Sequence, residues 1–239
     1  MNGKLLNIRE ATKFLGVSVD TLRRWDKSGK LVAVRKPGGT HRYYAIKDLE
    51  MFSSDLIKLA NEWALSGKEI SPDLYCSNSA VFQTKLMRMQ DEMLVLGKER
   101  GLVSLMGAVA GEIGNNSYDH NLGNWPDVPG VFFGYDIQKG TIVLADRGLG
   151  ILKTLSRVKP SLISHEEAVR AAFTETISGR APEKRGNGLK FVRKIIAQNP
   201  ISLSFQTGDV ELQIEKESGD LRIVKTKDKI QGCLAIIKF

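Results

Sequence analysis

The sequence predicts a two-domain α+β chain. A winged helix-turn-helix occupies residues 1–52. An α/β sandwich, with an antiparallel or mixed sheet and helices on one face, occupies residues 100–239, and residues 53–99 form a helical linker. Three observations carry this expectation. Two short, capped amphipathic stretches precede a basic hairpin near the N-terminus. In the second half, a polar-faced helix, a strand ending in Asp-Arg-Gly-Leu-Gly and a glycine-containing loop before a helix follow one another. Four β-like runs come last.

The N-terminal elements are read from their punctuation. Asn7 precedes an apolar pattern of Ile8, Ala11 and Leu15, with Glu10 three residues on as a capping-box partner, and Gly16 ends the helix. Ser18 caps a second helix whose inner face is Val19, Leu22 and Trp25. Its outer face presents Asp20, Thr21, Arg23, Arg24 and Lys27, and Gly29 follows at a C-cap position. Pro37-Gly38-Gly39 between two short extended runs predicts a hairpin whose arms carry Arg35, Lys36, His41 and Arg42. Two short helices, the second basic on its outer side, beside a basic wing form an arrangement that enters a major groove. A protein-binding winged helix has the same outline, but the charge favours nucleic acid. Residues 1–52 hold eleven Lys and Arg against five Asp and Glu, so most of the chain's net +8 sits there.

Thr21-Leu22-Arg23-Arg24-Trp25 followed by Pro37-Gly38-Gly39-Thr40-His41-Arg42-Tyr43 resembles the MerR and excisionase-type DNA-binding domain. The resemblance implies double-stranded DNA as partner, with Arg23 and Arg24 at the groove and the wing at the backbone. The candidate DNA contacts are Thr21, Arg23, Arg24, Lys27, Arg35, Lys36, His41 and Arg42.

In the middle segment, Leu56, Leu59, Ala60 and Trp63 make one apolar stripe, and residues 67–79 read as a linker. Phe82, Leu86, Met89, Met93 and Leu96 follow a 4-3-4-3 spacing. That spacing suits either a dimer seam or packing against the following sheet, and its two heptads favour the sheet. A homodimer stays open.

The second half begins with residues Leu102–Asn116, where apolar and small residues alternate at helical spacing. Glu112, Asn116 and Asp119 share one helical face. The amide oxygen of Asn116 is a hard ligand suited to magnesium, and Glu112 is placed to orient or deprotonate a water. A solvated polar face has the same spacing. Thr141–Ala145 is a β-rich run ending in Asp146, Gly148 and Gly150. That ending sets an acceptor at a pocket edge where absent side chains admit a ligand. An ordinary turn uses the same residues. Residues 178–188 form a basic loop with Arg180, Lys184, Arg185, Gly186 and Gly188, and it runs into an apolar-periodic helix, Leu189–Ile196. Glycines before a helix N-terminus can cradle phosphate, and a solvated loop is the plain alternative. There is no Gly-x-x-x-x-Gly-Lys-Ser/Thr pattern, which excludes a P-loop. Ile201–Gln206, Val210–Glu215, Leu221–Lys225 and Cys233–Phe239 predict four strands.

In this order, Glu112–Asp119, Asp146–Gly150 and Arg185–Leu189 resemble the N box and the two glycine boxes of the GHKL ATPase superfamily, with its Bergerat-type fold, over about residues 100–239. Gly232 stands where that superfamily often has another glycine. The resemblance implies Mg-ATP as ligand, the adenine amino group donating to Asp146, and residues 179–188 as a lid. The ATP-binding candidates are Asn116, Asp119, Asp146, Gly148, Gly150, Arg180, Lys184, Arg185, Gly186, Gly188 and Leu189, with Asn116 also the Mg2+ ligand and Glu112 the catalytic base. The chain departs from the histidine kinases of that superfamily. No histidine lies between His41 and His120, and His165 follows Asp146, so autophosphorylation in cis is not expected. Gyrase-type members bring a lysine to the γ-phosphate from a following domain. Nothing here corresponds to it, so slow hydrolysis at most is expected.

Composition is that of an ordinary globular chain, 42% hydrophobic and 26% charged. No apolar run reaches membrane-span length and no signal-peptide pattern opens the sequence, so no membrane partner is expected. Cys76 and Cys233, far apart and without CxxC spacing, suggest a reducing cytoplasm. The expectation is a DNA-binding transcription regulator whose state Mg-ATP controls. The alternatives are an anti-sigma-type protein serine/threonine kinase tethered to DNA and acting on a protein substrate, and a recombination or mobile-element accessory factor.

Overall fold

The computed structural model describes residues 4–15, 17–29, 31–35, 38–177 and 188–239. The N-terminal unit consists of β1 (Leu5–Asn7), α1 (Ile8–Leu15), α2 (Val19–Lys27), β2 (Val34–Arg35) and β3 (Arg42–Ala45). The three strands form an antiparallel sheet in the order β1-β3-β2. Asn7 Oδ1 accepts from the amide of Glu10 at 3.0 Å while the Asn7 amide donates to Glu10 Oε2 at 2.7 Å, so the capping box forms. Ser18 Oγ accepts from the Thr21 amide at 3.1 Å, and Gly29 follows α2 with φ +75°. Ala11, Leu15, Leu22, Trp25, Tyr44 and Leu49 close this small core.

α3 (Ile46–Ser66) runs straight out of the wing as one 21-residue helix and ends at Gly67, φ +66°. β4 (Tyr75–Cys76), α4 (Ser79–Val95), α5 (Arg100–Asn121), β5 (Val131–Asp136), β6 (Thr141–Asp146), α6 (Gly150–Leu155), α7 (His165–Thr174), α8 (Gly188–Ala197), β7 (Ser202–Ile214) and β8 (Arg222–Lys238) follow. The five strands pair antiparallel throughout, in the order β4-β5-β6-β8-β7. The chain is thus α+β with two sheets, the first within a helix-turn-helix unit.

Strand alternation sorts the side chains between two cores. Val131, Phe133, Ile142, Leu144, Ala235 and Ile237 face α4, α5, α7 and α8. Phe132, Val143, Ala145 and Leu234 face Ala60, Trp63 and Ala64 of α3. Helices therefore cover both faces of this sheet, which corrects the expectation of helices on one face. The stripe of Leu56, Ala60 and Trp63 has an apolar sheet surface to bury, and α3 supplies that cover.

Three further differences have local causes. The four expected C-terminal runs are two long strands, because the glycines at their joints bend the ladder instead of ending it. Gly208 (φ +58°) sits at a register shift, and Gly232 has φ +76°. The segment 67–79 is not a free linker: it contains β4, held as an edge strand on β5. Finally, Phe82, Leu86, Met89 and Met93 are buried within this chain, so the spacing that also suited a dimer seam serves the sheet core. α4 and α5 approach closely through small residues. A Cβ at Gly114 would lie 2.2 Å from the Phe82 ring, and one at Gly107 would lie 2.2 Å from Gln90.

Candidate functional site

A concave pocket in the second unit lies between α5, the end of β6, α6 and the head of α8. It encloses about 780 Å3, its open mouth included. Glu112, Asn116, Asp146, Gly150, Gly188 and Leu189 all line it, so residues far apart in sequence meet at one wall. The rest of the lining is largely apolar, including Ile113, Ile151, Leu155, Ala172 and Phe205. A slot of this kind suits a flat ring system.

Asp146 is 3% exposed. Its Oδ2 accepts from Ser117 Oγ at 2.8 Å and its Oδ1 from the Gly148 amide at 2.8 Å. Burial pushes its carboxyl up to about 6, against the opposing pull of the Gly148 amide, Ser117 and the Cys233 amide. Two glycines make room beside it. A Cβ on Gly232 would lie 2.2 Å from the Asp146 carbonyl and 2.5 Å from Oδ1. Gly150, at φ +73°, faces Thr207 Oγ1 and the Gly232 carbonyl. Thr207 is fully buried; its Oγ1 donates to the Gly232 carbonyl at 3.0 Å and accepts from the Ile151 amide at 3.3 Å. Asn121 ties the loop after β6 to α5, accepting from the Leu149 amide and donating to the Ser117 carbonyl, both at 2.7 Å. Ser117 and Asn121 line the pocket and Thr207 braces Ile151 and Gly232 behind it; sequence reasoning missed all three.

Glu112 and Asn116 stand one turn apart on α5. Glu112 meets the head of α8, where a Cβ on Gly188 would fall 1.7 Å from Glu112 Oε1. Gly188 is therefore a point of contact that no larger residue could occupy without displacing the carboxylate. Asp119 is exposed and outside the pocket lining. It lies about 200° around the helix from inward-facing Ser117. Gly148 does not line this pocket; it sits against Asn121, where a Cβ would be 2.1 Å from Nδ2. Arg180, Lys184, Arg185 and Gly186 lie outside the described residues. The flanking Ile177 and Gly188 both line the pocket.

The basic surface of the N-terminal unit has its own order. Arg23, Lys27 and His41 are exposed, Arg23 paired with Asp20 at 3.1 Å. Arg35 and Arg42 both donate to Asp26 Oδ2, at 2.6 and 2.7 Å, while Asp26 Oδ1 accepts from the Ala33 amide at 2.9 Å. Burial raises the Asp26 carboxyl, but the Ala33 amide, Arg42 and Arg35 together hold it below its ordinary value. Asp26, also missed in the sequence, fixes the wing arginines against α2. Its stabilisation is present above the ordinary carboxylate range and is lost as pH falls through the lowered folded value. Asp26→Ala is expected to cost about 1–3 kcal/mol in chemical denaturation, and an unchanged midpoint would remove the clamp. Arg24 and Thr21 do not point freely outward. Thr21 is 2% exposed, and both residues bond Asp73. Lys36 lies outside the described residues.

Residues 7–44 match the MerR family regulatory protein model. Over 69 residues, 29% of this chain, the sequence is 36% identical to the Type II methyltransferase M.Eco47II of Escherichia coli. The chain spans 16% of the length of that relative. The MerR-family helix-turn-helix supports a DNA-binding regulator. Among the described residues, no helix is long and apolar enough to cross a membrane.

Proposed function

We propose that this chain is a DNA-binding regulator whose second unit is a Bergerat-type domain that takes Mg-ATP and sets the DNA-binding state. The observation that carries the reading is Asp146, a buried carboxylate at the edge of an apolar slot whose mouth holds Glu112 and Asn116. An exocyclic amine is the natural donor to such a carboxylate, and guanine would present a carbonyl and leave it unpaired. Asn116 offers a hard amide oxygen. Among the described residues, no group of three or more His, Cys, Asp or Glu could hold a metal ion, so magnesium would rest on Asn116 and on phosphate oxygens. The α8 N-terminus faces the same space, and its free amides favour an anion.

Glu112 is placed to orient or deprotonate an attacking water. Glu112→Ala is expected to keep ATP binding and to lose turnover by about 10²–10⁴-fold, measured by phosphate release. Equal turnover in both proteins would place the base elsewhere. Arg23, Lys27 and His41 would touch DNA phosphates. Removing one such contact is expected to lower the slope of log affinity against log salt by about 1; a salt-independent affinity would rule the surface out.

The test of the whole reading is calorimetric titration with ATP and GTP, with and without magnesium, repeated in the presence of duplex DNA. ATP binding with exclusion of GTP supports the pocket. If ATP changes DNA affinity, DNA must change ATP affinity by the same factor, about 5–150-fold in typical coupled systems. Equal ATP affinities with and without DNA would remove the control.

A further inference from the structure

We propose that Asp73 is an intramolecular competitor for DNA, a carboxylate that holds the DNA-facing side of α2 by the donors a phosphate would use. The inference rests on DNA binding by the MerR-family domain. Asp73 Oδ2 receives Thr21 Oγ1, Arg24 Nη2 at 2.8 Å and Ser71 Oγ at 3.3 Å, and Arg24 Nη2 also donates to Ser71 Oγ at 3.2 Å. A guanidinium and hydroxyls converging on one anionic oxygen form the donor set that protein–DNA interfaces direct at backbone phosphates. With Asp73 in place, Arg24 is neutralised, and a carboxylate stands where a negatively charged duplex would have to come.

The competitor belongs to the second unit. Lys85, on α4, donates to the carbonyls of Pro72, Asp73 and Tyr75 at 3.0, 2.8 and 2.9 Å and so fixes the turn that presents Asp73. The Phe133 amide donates to the Leu74 carbonyl at 2.8 Å, and Tyr118 Oη donates to the Cys76 carbonyl at 2.8 Å. Tyr118 is on α5, one residue past Ser117, the partner of Asp146. The latch is therefore built on the helix that lines the pocket.

The contact is also made to come apart. Arg24 and Asp73 side chains are 52% and 32% exposed, so solvent and salt weaken the pair. Beside them a cleft open to solvent lies among Leu15, Val17 and Trp25 on one side and Leu74 and Tyr135 on the other. α3 remains as the covalent tether.

The test uses the full chain and fluorescence anisotropy with a mixed-sequence DNA duplex at fixed low salt. Asp73→Asn keeps the size of the side chain and removes its charge. It is expected to bind DNA about threefold to thirtyfold more tightly than wild type. Asp20→Asn, which removes a nearby charge on α2 without touching the latch, is expected to gain much less. Lys85→Met releases the turn by a second route and is expected to tighten binding in the same direction, which keeps the test decisive if Asp73→Asn fails to fold. Wild-type affinity in folded Asp73→Asn, or an equal gain in Asp20→Asn, overturns the latch and leaves DNA binding standing. No binding by any variant overturns both.

Discussion

Asp146→Asn is expected to lower ATP affinity by at least about tenfold while leaving the fold nearly as stable as before. The amide cannot accept from an exocyclic amine and from the Ser117 and Gly148 donors together, so one buried group goes unpaired, at about 1–3 kcal/mol. Stability moves little because two terms oppose. Burial raises the folded-state carboxyl from 3.8 to about 6, above its unfolded value. Between those pH values the folded protein takes up a proton, so stability falls as pH rises through that window and the penalty persists at neutral pH. The displacement corresponds to about 3 kcal/mol, which the neutral amide avoids and which offsets its mismatched hydrogen bonds. Binding has the opposite sign. A donor on the ligand favours the ionised carboxylate, so wild-type affinity is expected to rise from about pH 5 to pH 7 and then level off, by no more than about tenfold per pH step. The variant is expected to show a flat profile. Calorimetry across that range reads both effects, and a wild-type profile without a bend near pH 6 would take Asp146 out of the ligand site.

What could be read in the sequence is what is local. The caps at Asn7 and Ser18, Gly29 after α2 and the apolar periods of α1, α2, α4 and α8 depend on residues a few positions apart, and the structure has them, while Gly16 and Pro37 lie outside the described residues. Glu112, Asn116, Asp146, Gly150 and Gly188 were legible as fragments because each carries its chemistry with its spacing. The residues that join the fragments were not. Ser117 and Asn121 occupy the inward stripe of α5 that begins at Ile113, and a polar residue in such a stripe is a signal for a buried partner. The partner is on β6, so the signal has no address in the sequence. Thr207 lies beside a glycine at a bulge, where a strand was expected to stop. Asp26 and Asp73 are acids serving a basic surface, and their meaning depends on the wing folding back and on β4 joining the second sheet. The extra layer from α3 was hidden for the same reason: its apolar stripe was plain, but the second hydrophobic face of the sheet showed only as alternation within β5, β6 and β8.

Arg147, read in sequence only as the second letter of a glycine motif, is expected to be among the most costly positions to truncate. It is 7% exposed. Nη1 donates to the carbonyls of Trp63 and Ala64 at 3.1 and 2.6 Å, in the last turn of α3, where the Trp63 carbonyl also accepts from the Gly67 amide at 2.8 Å. A cation there also complements the helix dipole. Nε donates to both carboxylate oxygens of Asp127, at 3.2 and 3.0 Å, and Nη2 donates to Asp127 as well. Asp127 is 38% exposed, so the pair is worth less than a fully buried one, while the Ala64 carbonyl loses its arginine donor and the Trp63 carbonyl keeps the Gly67 amide. Arg147→Ala is therefore expected to destabilise the protein by about 2–4 kcal/mol. For a chain of this size that is a fall of roughly 5–15 °C in Tm. Arg147→Lys is expected to recover only part of the loss, because a single ammonium cannot span the helix end and the carboxylate together. Arg147 stands between Asp146 and Gly148, so the same side chain ties the loop framing the pocket to the helix that leads from the DNA-binding unit. Hydrogen exchange should therefore report early opening of α3 against the sheet in Arg147→Ala. A melting curve matching wild type, with α3 still protected, would show that α3 is held by its apolar face alone.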